Sequence, residues 1–410
     1  MTGAALLLLI PGCKMSNKIT YINLASIYEP TNKPAISGLR IFNVSNDTTK
    51  VFLRYNLNDL TYKMPRGRDY RKATYLFSWE LYRSWDNDDV SAHHNYVLSD
   101  SLHYGEDLEL VFDFDIPAKF PGRYLLEVKF SDMNSLGSTV YPVIIYKDSG
   151  DVVQDFLPVH ETGEVIFNNW ITGDTRFKLL CKNMNTDRLY LNHFTEEFPA
   201  ARPPFSLAPA PTYKYEPQEK LTVKVDSGTS EVLVFPSTGI FHFRPDTVSR
   251  SGFTLFRFHN DYPNVTATEQ MIPPLRYITT SKEYRNMTGS DEQKPSVDRF
   301  WLDIAGYEER ALELIKRYYS RVEFANWYFT SFKEGWKTDR GMIYIVFGPP
   351  QTVYRRDDIE TWIYGERGSR MSLTFDFIRA VNPFTDEDFI LRRQSDFKNP
   401  WFTAVDYWRR

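Results

Sequence analysis

Cysteine is nearly absent: the 410 residues include only Cys13 and Cys181. If Cys13 carries the modification inferred below, Cys181 is left alone and an intramolecular disulfide is excluded. Cys181 ends the apolar, strand-like run that begins at Phe177. An unpaired cysteine in such surroundings usually behaves as a small hydrophobic residue. We therefore predict that Cys181 is buried in a core; a reactive thiol is the less favoured alternative.

Clusters of basic residues and long apolar runs are also missing. The formal net charge is −4, and no stripe of lysine and arginine occurs. The composition therefore argues against nucleic acid as the main partner, because phosphate binding needs such clusters. Beyond the N-terminus, no segment approaches the roughly 18 consecutive apolar residues of a transmembrane helix. The rest of the chain is predicted to be soluble.

The spacing of a metal site is lacking as well. His93 and His94 are adjacent, His103 follows, and no spaced cysteine accompanies them. Neighbouring residues of a strand point to opposite faces, so His93 and His94 cannot easily chelate one ion together. We predict that these are loop histidines and that the chain has no metal site.

The N-terminus does contain a short apolar run, from Ala4 to Ile10, which is followed by Pro11-Gly12-Cys13. The run is too short to span a bilayer and has the pattern of a signal-peptide core. The ending Leu9 to Cys13 resembles a bacterial lipobox. This resemblance implies a signal peptide over residues 1–12, acylation of Cys13, and a lipidated tether over residues 13–18. A plain secretory signal with an unrelated cysteine is the alternative.

The tether from Lys14 to Lys18 contains no acidic residue. In bacteria that export lipoproteins to the cell surface, acidic residues near the acylated cysteine often serve as the export signal. Their absence favours the periplasmic face of the outer membrane over the cell surface. The lipobox resemblance therefore implies a protein that is anchored in the outer membrane by its lipid.

Aromatic residues are abundant, with 26 Tyr and 30 Phe, and favour β-structure. Residues 19–148 contain short runs of alternating polarity, separated by turn residues, as in antiparallel strands with one solvated face. We predict an immunoglobulin-like β-sandwich here. Its strand-like runs are 36–44, 50–57, 74–82, 108–114, 122–130 and 138–146.

A second immunoglobulin-like sandwich is predicted over residues 152–270. Its strand-like runs are 164–167, 176–180, 188–191, 221–225, 231–235, 239–243 and 252–258. A proline-rich loop over 198–217 interrupts them, and proline favours extended geometry without hydrogen-bond donors. Long loops are often functional, so this one is either a partner contact or a plain surface loop.

The C-terminal domain, predicted over 273–410, begins with helical signals. Ser296 is a candidate N-cap, and apolar residues then recur at alternating steps of four and three on one helical stripe. Its members are Ala311, Ile315, Tyr318, Val322, Ala325 and Phe329. The fold class is therefore mainly β, with two tandem sandwiches followed by a helix and a small antiparallel sheet.

A polar turn from Gly335 to Gly341 follows that helix. The apolar run 342–347 is predicted to be a central strand that ends at Gly348-Pro349-Pro350, and the runs 360–364 and 372–377 are predicted to be its partner strands. In the turn, Gly335 and Gly341 would tolerate positive φ. Trp336 would pack across helix and strand, and Thr338 and Asp339 would accept backbone N–H groups or pair with Arg340.

These residues resemble a known family. Gly335-Trp336-Lys337-Thr338-Asp339-Arg340-Gly341, the run from Tyr344 to Pro350, and the pair 360–364 with 375–377 are similar to the GWxTD domain, which is found in exported bacterial proteins. The resemblance covers about residues 273–395. It implies no cofactor and no established catalytic role. We therefore interpret the turn as a structural hinge, not as an active site.

Three functions are compatible with these patterns. The first is a non-enzymatic outer-membrane lipoprotein, a structural subunit of an envelope complex built on a β-barrel for secretion, assembly or uptake. Its partners would be that barrel or other lipoproteins, and no nucleic acid. The second is a carbohydrate-binding protein or hydrolase that pairs Asp339 with Asp357, Asp358 or Glu360. The third is a periplasmic chaperone or sensor.

Overall fold

The computed structural model describes residues 22–29, 35–67, 69–85, 89–101, 108–135, 137–148, 152–182, 186–366, 368–369 and 372–410. The predicted signal peptide and tether, Cys13 and His103 lie outside these residues. The fold is mainly β, with helices and a small antiparallel sheet at the C-terminal end, as the sequence predicted. Within the described ranges, no helix is long and apolar enough to span a bilayer.

The first β-unit has seven antiparallel strands in two sheets that enclose one core. The sheets have the orders β1-β2-β5 and β4-β3-β6-β7. The strands are β1 (Ile36–Asn43), β2 (Thr49–Asn56), β3 (Ala73–Tyr82), β4 (Val90–Asp100), β5 (Glu109–Ile116), β6 (Gly122–Asp132) and β7 (Ser138–Lys147).

All six runs predicted for this unit are strands, but β4 was missed. His93 and His94 lie on β4, so their prediction as loop histidines is wrong. β4 is an edge strand whose residues are exposed or half-buried throughout. It therefore lacks the strong apolar alternation that a half-buried strand shows in a sequence.

The second β-unit forms one continuous sheet of order β14-β13-β10-β11-β12-β9-β8. Its two ends share one core, where the rings of Phe156 and Phe253 lie 6.1 Å apart, so the sheet folds over onto itself. The strands are β8 (Phe156–His160), β9 (Phe177–Cys181), β10 (Arg188–Phe194), β11 (Glu219–Asp226), β12 (Thr229–Ser230), β13 (Gly239–Arg244) and β14 (Phe253–Arg257).

Two strands predicted in this unit are wrong, and two were missed, β8 and the two-residue β12. The runs 164–167 and 231–235 contribute only isolated bridges, Val159 to Val165 and Phe177 to Leu233. β8 was overlooked because its pattern is interrupted by Pro158. Cys181 is buried in this core, and burial raises the pKa of its thiol to about 12. The prediction of a buried core cysteine is confirmed.

The two β-units share one strand order. When the strands of each unit are counted from its first, both place strands 1-2-5 side by side and strands 4-3-6-7 side by side. In the second unit, the short pairing of β11 with β12 additionally joins strand 4 to strand 5. Polar contacts connect the units, since the Arg40 guanidinium donates to Ile166 O, Asn168 O and Asn169 Oδ1.

The C-terminal part combines six helices of the described chain with a four-stranded antiparallel sheet. The sheet order is β15-β16-β17-β18, with β15 (Thr352–Arg355), β16 (Ile359–Tyr364), β17 (Leu373–Arg379) and β18 (Phe389–Leu391). The helices are α1 (Thr268–Met271), α2 (Ser281–Thr288), α3 (Gln293–Ala305), α4 (Glu308–Phe329), α5 (Asp339–Phe347) and α6 (Lys398–Trp408).

The long amphipathic helix is confirmed as α4. Its predicted stripe is buried, except for the half-buried Ile315. The predicted cap is wrong, because Ser296 lies inside α3, which begins at Gln293. The pair 360–364 and 372–377 is confirmed as β16 and β17, with Trp362 opposite Phe375.

The predicted central strand 342–347 is also wrong: these residues belong to the helix α5. Every residue from Asp339 to Val346 is buried, so the helix is surrounded on all sides. A fully buried helix is apolar all round, and a short apolar run cannot be distinguished from a buried strand by its periodicity. Gly348, at φ +86°, ends the helix.

Two distant segments pack against this C-terminal part. Residues 22–29, which the sequence placed in the first β-domain, contribute Leu24, Ala25 and Tyr28 to its core. The proline-rich loop also contacts it, because Ala201 N donates to Lys337 O at 2.9 Å. Three aromatic residues of the loop, Phe198, Tyr213 and Tyr215, pack against Phe332 and Phe384 of the C-terminal domain. Part of the loop therefore covers the chain's own C-terminal domain.

Candidate functional site around residues 335–341

The turn between α4 and α5 passes extremely close to neighbouring backbone. A Cβ at Gly335 would lie 1.9 Å from Ala325 O, and a Cβ at Gly341 would lie 1.9 Å from Gly335 O. Neither glycine has a positive φ, so the reason predicted from the sequence is wrong. Glycine is needed at both positions, because a side chain at Gly335 would collide with α4 and one at Gly341 would collide with the backbone of Gly335.

Trp336 fixes the turn to two other elements. Its backbone N–H donates to Asn326 Oδ1 at 3.0 Å, and its carbonyl accepts from Tyr277 Oη at 2.9 Å. Its side chain is only 7% exposed, and the Lys337 ammonium lies 5.4 Å from the centre of its ring. The buried Asn326 on α4 is therefore the side chain that holds the backbone of the turn against this helix.

Thr338 is the N-cap of α5. Its Oγ1 accepts from Gly341 N at 3.0 Å and donates to Gly335 O at 2.7 Å. A side-chain oxygen at this position satisfies one of the free N–H groups at a helix start. Because Thr338 is only 3% exposed, water cannot easily replace it.

We expect Thr338→Ala to lower the free energy of unfolding by about 1–2 kcal/mol, since a buried cap is lost. Thr338→Ser keeps the hydroxyl and should cost clearly less. Urea denaturation followed by tryptophan fluorescence measures both. Equal losses in the two variants would show that the methyl group, not the cap, matters.

Asp339 connects α5 to the end of β18; it binds neither of the partners suggested by the sequence, the N–H groups of the turn or Arg340, but Leu391 and Arg393. Its Oδ2 accepts from Leu391 N at 2.8 Å and from Arg393 Nη1 at 2.9 Å, and its Oδ1 accepts from Arg393 Nη2 at 2.5 Å. This is a bidentate, charge-assisted pair of the stronger kind. Arg393 also donates to Arg202 O, so the same pair holds the proline-rich loop.

Arg340 enters a buried cluster of charges. Its guanidinium is 1% exposed, contacts Glu387 Oε2 at 3.0 Å and Glu360 Oε2 at 3.5 Å, and lies over the ring of Phe389 at 4.3 Å. Arg355 adds a second cation, 3.0 Å from Glu387 Oε1. Two arginines and two glutamates therefore balance each other's charge.

Glu360 is the centre of this cluster and is completely buried. Its carboxylate accepts from Tyr28 Oη at 3.0 Å and from Trp362 Nε1 at 2.7 Å. Burial raises the pKa of Tyr28 far above its usual value, and the Glu360 charge raises it further, so the phenol stays a donor. Burial alone would raise the pKa of Glu387, but Arg355 and Arg340 outweigh it and lower that pKa to about 2.

This lowered pKa predicts an acid-dependent loss of stability. Glu387 binds its proton less readily when folded than when unfolded, so its contribution is complete above about pH 4.5 and is lost as the pH falls towards 2. Its side chain is 40% exposed; after screening we expect a contribution on the order of 1 kcal/mol. Urea titrations of wild type and Glu387→Gln should converge at low pH, whereas the exposed Glu164→Gln should change nothing.

The carboxylates proposed for hydrolysis are not arranged as a pair. Asp339 contacts Arg393, Glu360 contacts Arg340, and Asp357 contacts Arg123 at 2.8 Å on the surface. Each of these three carboxylates is thus held by a different arginine. No group of three or more His, Cys, Asp or Glu that could hold a metal ion occurs among the residues that the structure describes.

A cleft of about 420 Å³ opens beside the turn. Trp336, Lys337 and Glu334 line it from the turn, and Lys337 Nζ pairs with Glu334 Oε2 at 2.7 Å. Glu269 and Arg276 contribute exposed charges at its rim. The cleft combines two aromatic side chains, Phe198 and Trp336, with polar groups of both signs, a lining that suits a polar ligand more than an apolar one.

The structure thus brings most of the predicted residues together. The turn and the start of α5 contain Gly335, Trp336, Thr338, Asp339, Arg340 and Gly341. The helix ends at Gly348 and the half-buried Pro349. Gly348 O accepts a hydrogen bond from Tyr364 Oη at 2.7 Å. Their partners Tyr28, Asn326, Glu387 and Arg393 were missed. No local spacing connects these partners to the turn, and only a contact between distant positions could have revealed them.

Comparison with protein families identifies the C-terminal part. Residues 239–410 match the family model described as GWxTD domain. The match confirms the resemblance and extends the predicted range of 273–395 in both directions, so that it includes β13, β14 and α6. None of the curated proteins matches the chain.

Proposed function

With residues 239–410 as a GWxTD domain, we propose that the protein is a non-enzymatic structural subunit of a bacterial envelope complex. The observation that carries this proposal is that the polar side chains of the motif bind other groups of the same protein. Thr338, Asp339 and Arg340 are all buried; Thr338 caps α5, whereas Asp339 and Arg340 are bound to distant parts of the chain. Such groups stabilise an arrangement and leave no free acid, base or nucleophile for a substrate.

The proposal includes acylation of Cys13 and attachment to the outer membrane, with the periplasmic face favoured. The lipobox-like ending at Cys13 and the absence of acidic residues up to Lys18 support it. The partners would be an outer-membrane β-barrel or other lipoproteins. In this arrangement the chain is a compact adaptor and not a linear spacer, because its β-units contact each other and the GWxTD domain.

We also infer that both β-units are immunoglobulin-like. Their shared order, 1-2-5 with 4-3-6-7, is that of such a sandwich in which the fourth strand has moved from the A-B-E sheet to the edge of the C-F-G sheet. The first unit adds a tyrosine corner at the start of its sixth strand, where Tyr124 Oη donates to Lys119 O at 2.9 Å. Modules of this kind usually bind or space, and fold alone carries no activity.

Purification from detergent-solubilised membranes tests the proposed role. A tagged full-length chain should recover a β-barrel or lipoprotein partner in fixed stoichiometry, and mass spectrometry should find an acylated N-terminal Cys13. Cys13→Ser should abolish acylation and membrane recovery. If the wild-type chain is acylated but is recovered only as a free monomer, the role as a subunit is wrong.

The cleft beside Trp336 supports a second candidate, a carbohydrate-binding protein. Aromatic edges and mixed polar groups are common in sugar sites. A glycan array with wild type and Glu269→Ala tests this, because Glu269 is exposed at the rim. Binding that Glu269→Ala weakens would favour this candidate; the absence of any signal would discard it.

A further inference from the structure

The segment 22–29 is held by the edge of the C-terminal sheet. Leu24 N donates to Val353 O at 2.8 Å, and Val353 N donates to Asn23 Oδ1 at 2.9 Å. Asn23 Nδ2 also donates to Gln351 O at 3.0 Å. Asn23 and Leu24 therefore satisfy backbone groups along β15, the edge strand of the sheet, much as an added strand would.

Tyr28 then carries the segment into the core. Its hydroxyl donates to Glu360, and its own carbonyl accepts from Tyr344 Oη at 3.0 Å. Its ring lies 5.1 Å from that of Phe329 and 5.5 Å from that of Trp362. Tyr28 is thus fixed by α4, α5 and β16 at once, and it reaches the same carboxylate that Arg340 of the GWxTD motif contacts.

The first β-unit contacts the segment as well, because β7 lies against residues 25–28. Ile22 packs beside the small apolar cluster of Trp85 and Leu125, and it remains half-buried. The hydrogen bonds described above, by contrast, all join residues 23–28 to the C-terminal domain. The segment lies between both parts of the molecule, but its polar and aromatic anchoring belongs to the C-terminal domain.

We propose that the GWxTD domain binds the segment that follows the membrane anchor. Its non-covalent contacts hold residues 22–29 even when the covalent link from this segment to the first β-unit is cut. This proposal rests on the proposed acylation of Cys13. The nine residue steps from Cys13 to Ile22 span at most about 30 Å, so the domain that binds the segment stays next to the bilayer. Arg340 thereby acts in anchoring, because it neutralises the carboxylate that binds Tyr28.

Cleavage of the full-length, acylated chain tests this. A protease site is inserted after Asn32, the protein is placed in phospholipid vesicles, and the chain is cut. After complete cleavage, most of the protein body should still float with the vesicles. Tyr28→Ala should release most of the body after cleavage, whereas Ser26→Ala, which removes no described hydrogen bond, should retain it. Release of the cut wild-type body to the same extent as Tyr28→Ala would overturn the proposal.

The two proposals can fail separately. If the uncut protein does not float with vesicles, the proposed acylation is wrong. Binding of the N-terminal fragment to the protein body is then measured in solution by gel filtration of the cut chain. Co-elution of the N-terminal fragment with the body supports the proposed binding of residues 22–29, and separation of the two refutes it. Circular dichroism of each uncut variant verifies that Tyr28→Ala still folds; if it does not, Tyr28→Phe, which removes only the hydroxyl, replaces it and should increase release.

Discussion

Gly335→Ala is expected to lower the free energy of unfolding by about 3 kcal/mol or more. The added Cβ would lie 1.9 Å from Ala325 O and 2.6 Å from Asn326 Cα. Both atoms belong to the backbone of α4, which cannot yield as a flexible side chain would. Either the turn moves away, losing the hydrogen bond from Trp336 N to Asn326, or α4 bends. Chemical denaturation followed by tryptophan fluorescence measures the loss.

Gly289→Ala is the matched control. Gly289 follows α2 at φ −95°, is exposed, and its added Cβ would lie 3.1 Å from Arg285 O. A small shift relieves that contact, so we expect a change within about 1 kcal/mol. If the two substitutions have similar effects, the close approach of the turn to α4 does not determine the need for glycine in the motif.

Arg340→Met should have an effect of similar size, about 3–5 kcal/mol, because it leaves the buried Glu360 carboxylate short of a counter-ion. Arg355 Nε is 3.9 Å from Glu360 and only partly replaces the lost charge. The double variant Arg340→Met with Glu360→Gln removes the stranded charge and should recover part of the loss. Urea unfolding of the four proteins in this cycle gives the coupling energy.

An exposed ion pair provides the comparison. Arg123 and Asp357 lie 2.8 Å apart, with side chains 44% and 51% exposed. Arg123→Met should therefore cost less than about 1 kcal/mol. If Arg340→Met were no more destabilising than Arg123→Met, the cluster around Glu360 would not be the buried, tightly paired site that its geometry implies.

The parts of the fold that could be predicted are those with a clear period. The stripe of α4 repeats at steps of three and four, and the strands with one solvated face alternate, so both were found. Two elements failed for opposite reasons: β4 has one exposed face and one that is only half-buried, and α5 is buried on all sides. In both cases the contrast between faces, on which a periodic signal depends, is weak or absent.

Only the residues of the motif itself could be predicted for the candidate site; their distant binding partners could not. The motif identified Gly335, Trp336, Thr338, Asp339 and Arg340, but not what they bind. A pair between Arg340 and its neighbour Asp339 was one of the alternatives predicted, whereas the structure pairs Arg340 with glutamates 20 and 47 residues away. A buried charge needs its partner in space, and a single sequence does not show which distant residue supplies it.

The hydrogen bond between Tyr28 and Glu360 also has a consequence for the order of folding. It joins positions 332 residues apart, and contacts of such separation form late because the chain must first close a large loop. During synthesis Tyr28 emerges long before β16, whereas β1 to β7, among the strands that the structure describes, pair only with one another, over far shorter separations such as that of Thr49 from Ile116. We therefore expect the first β-unit to fold early and the C-terminal core to close last, when both ends of the chain meet.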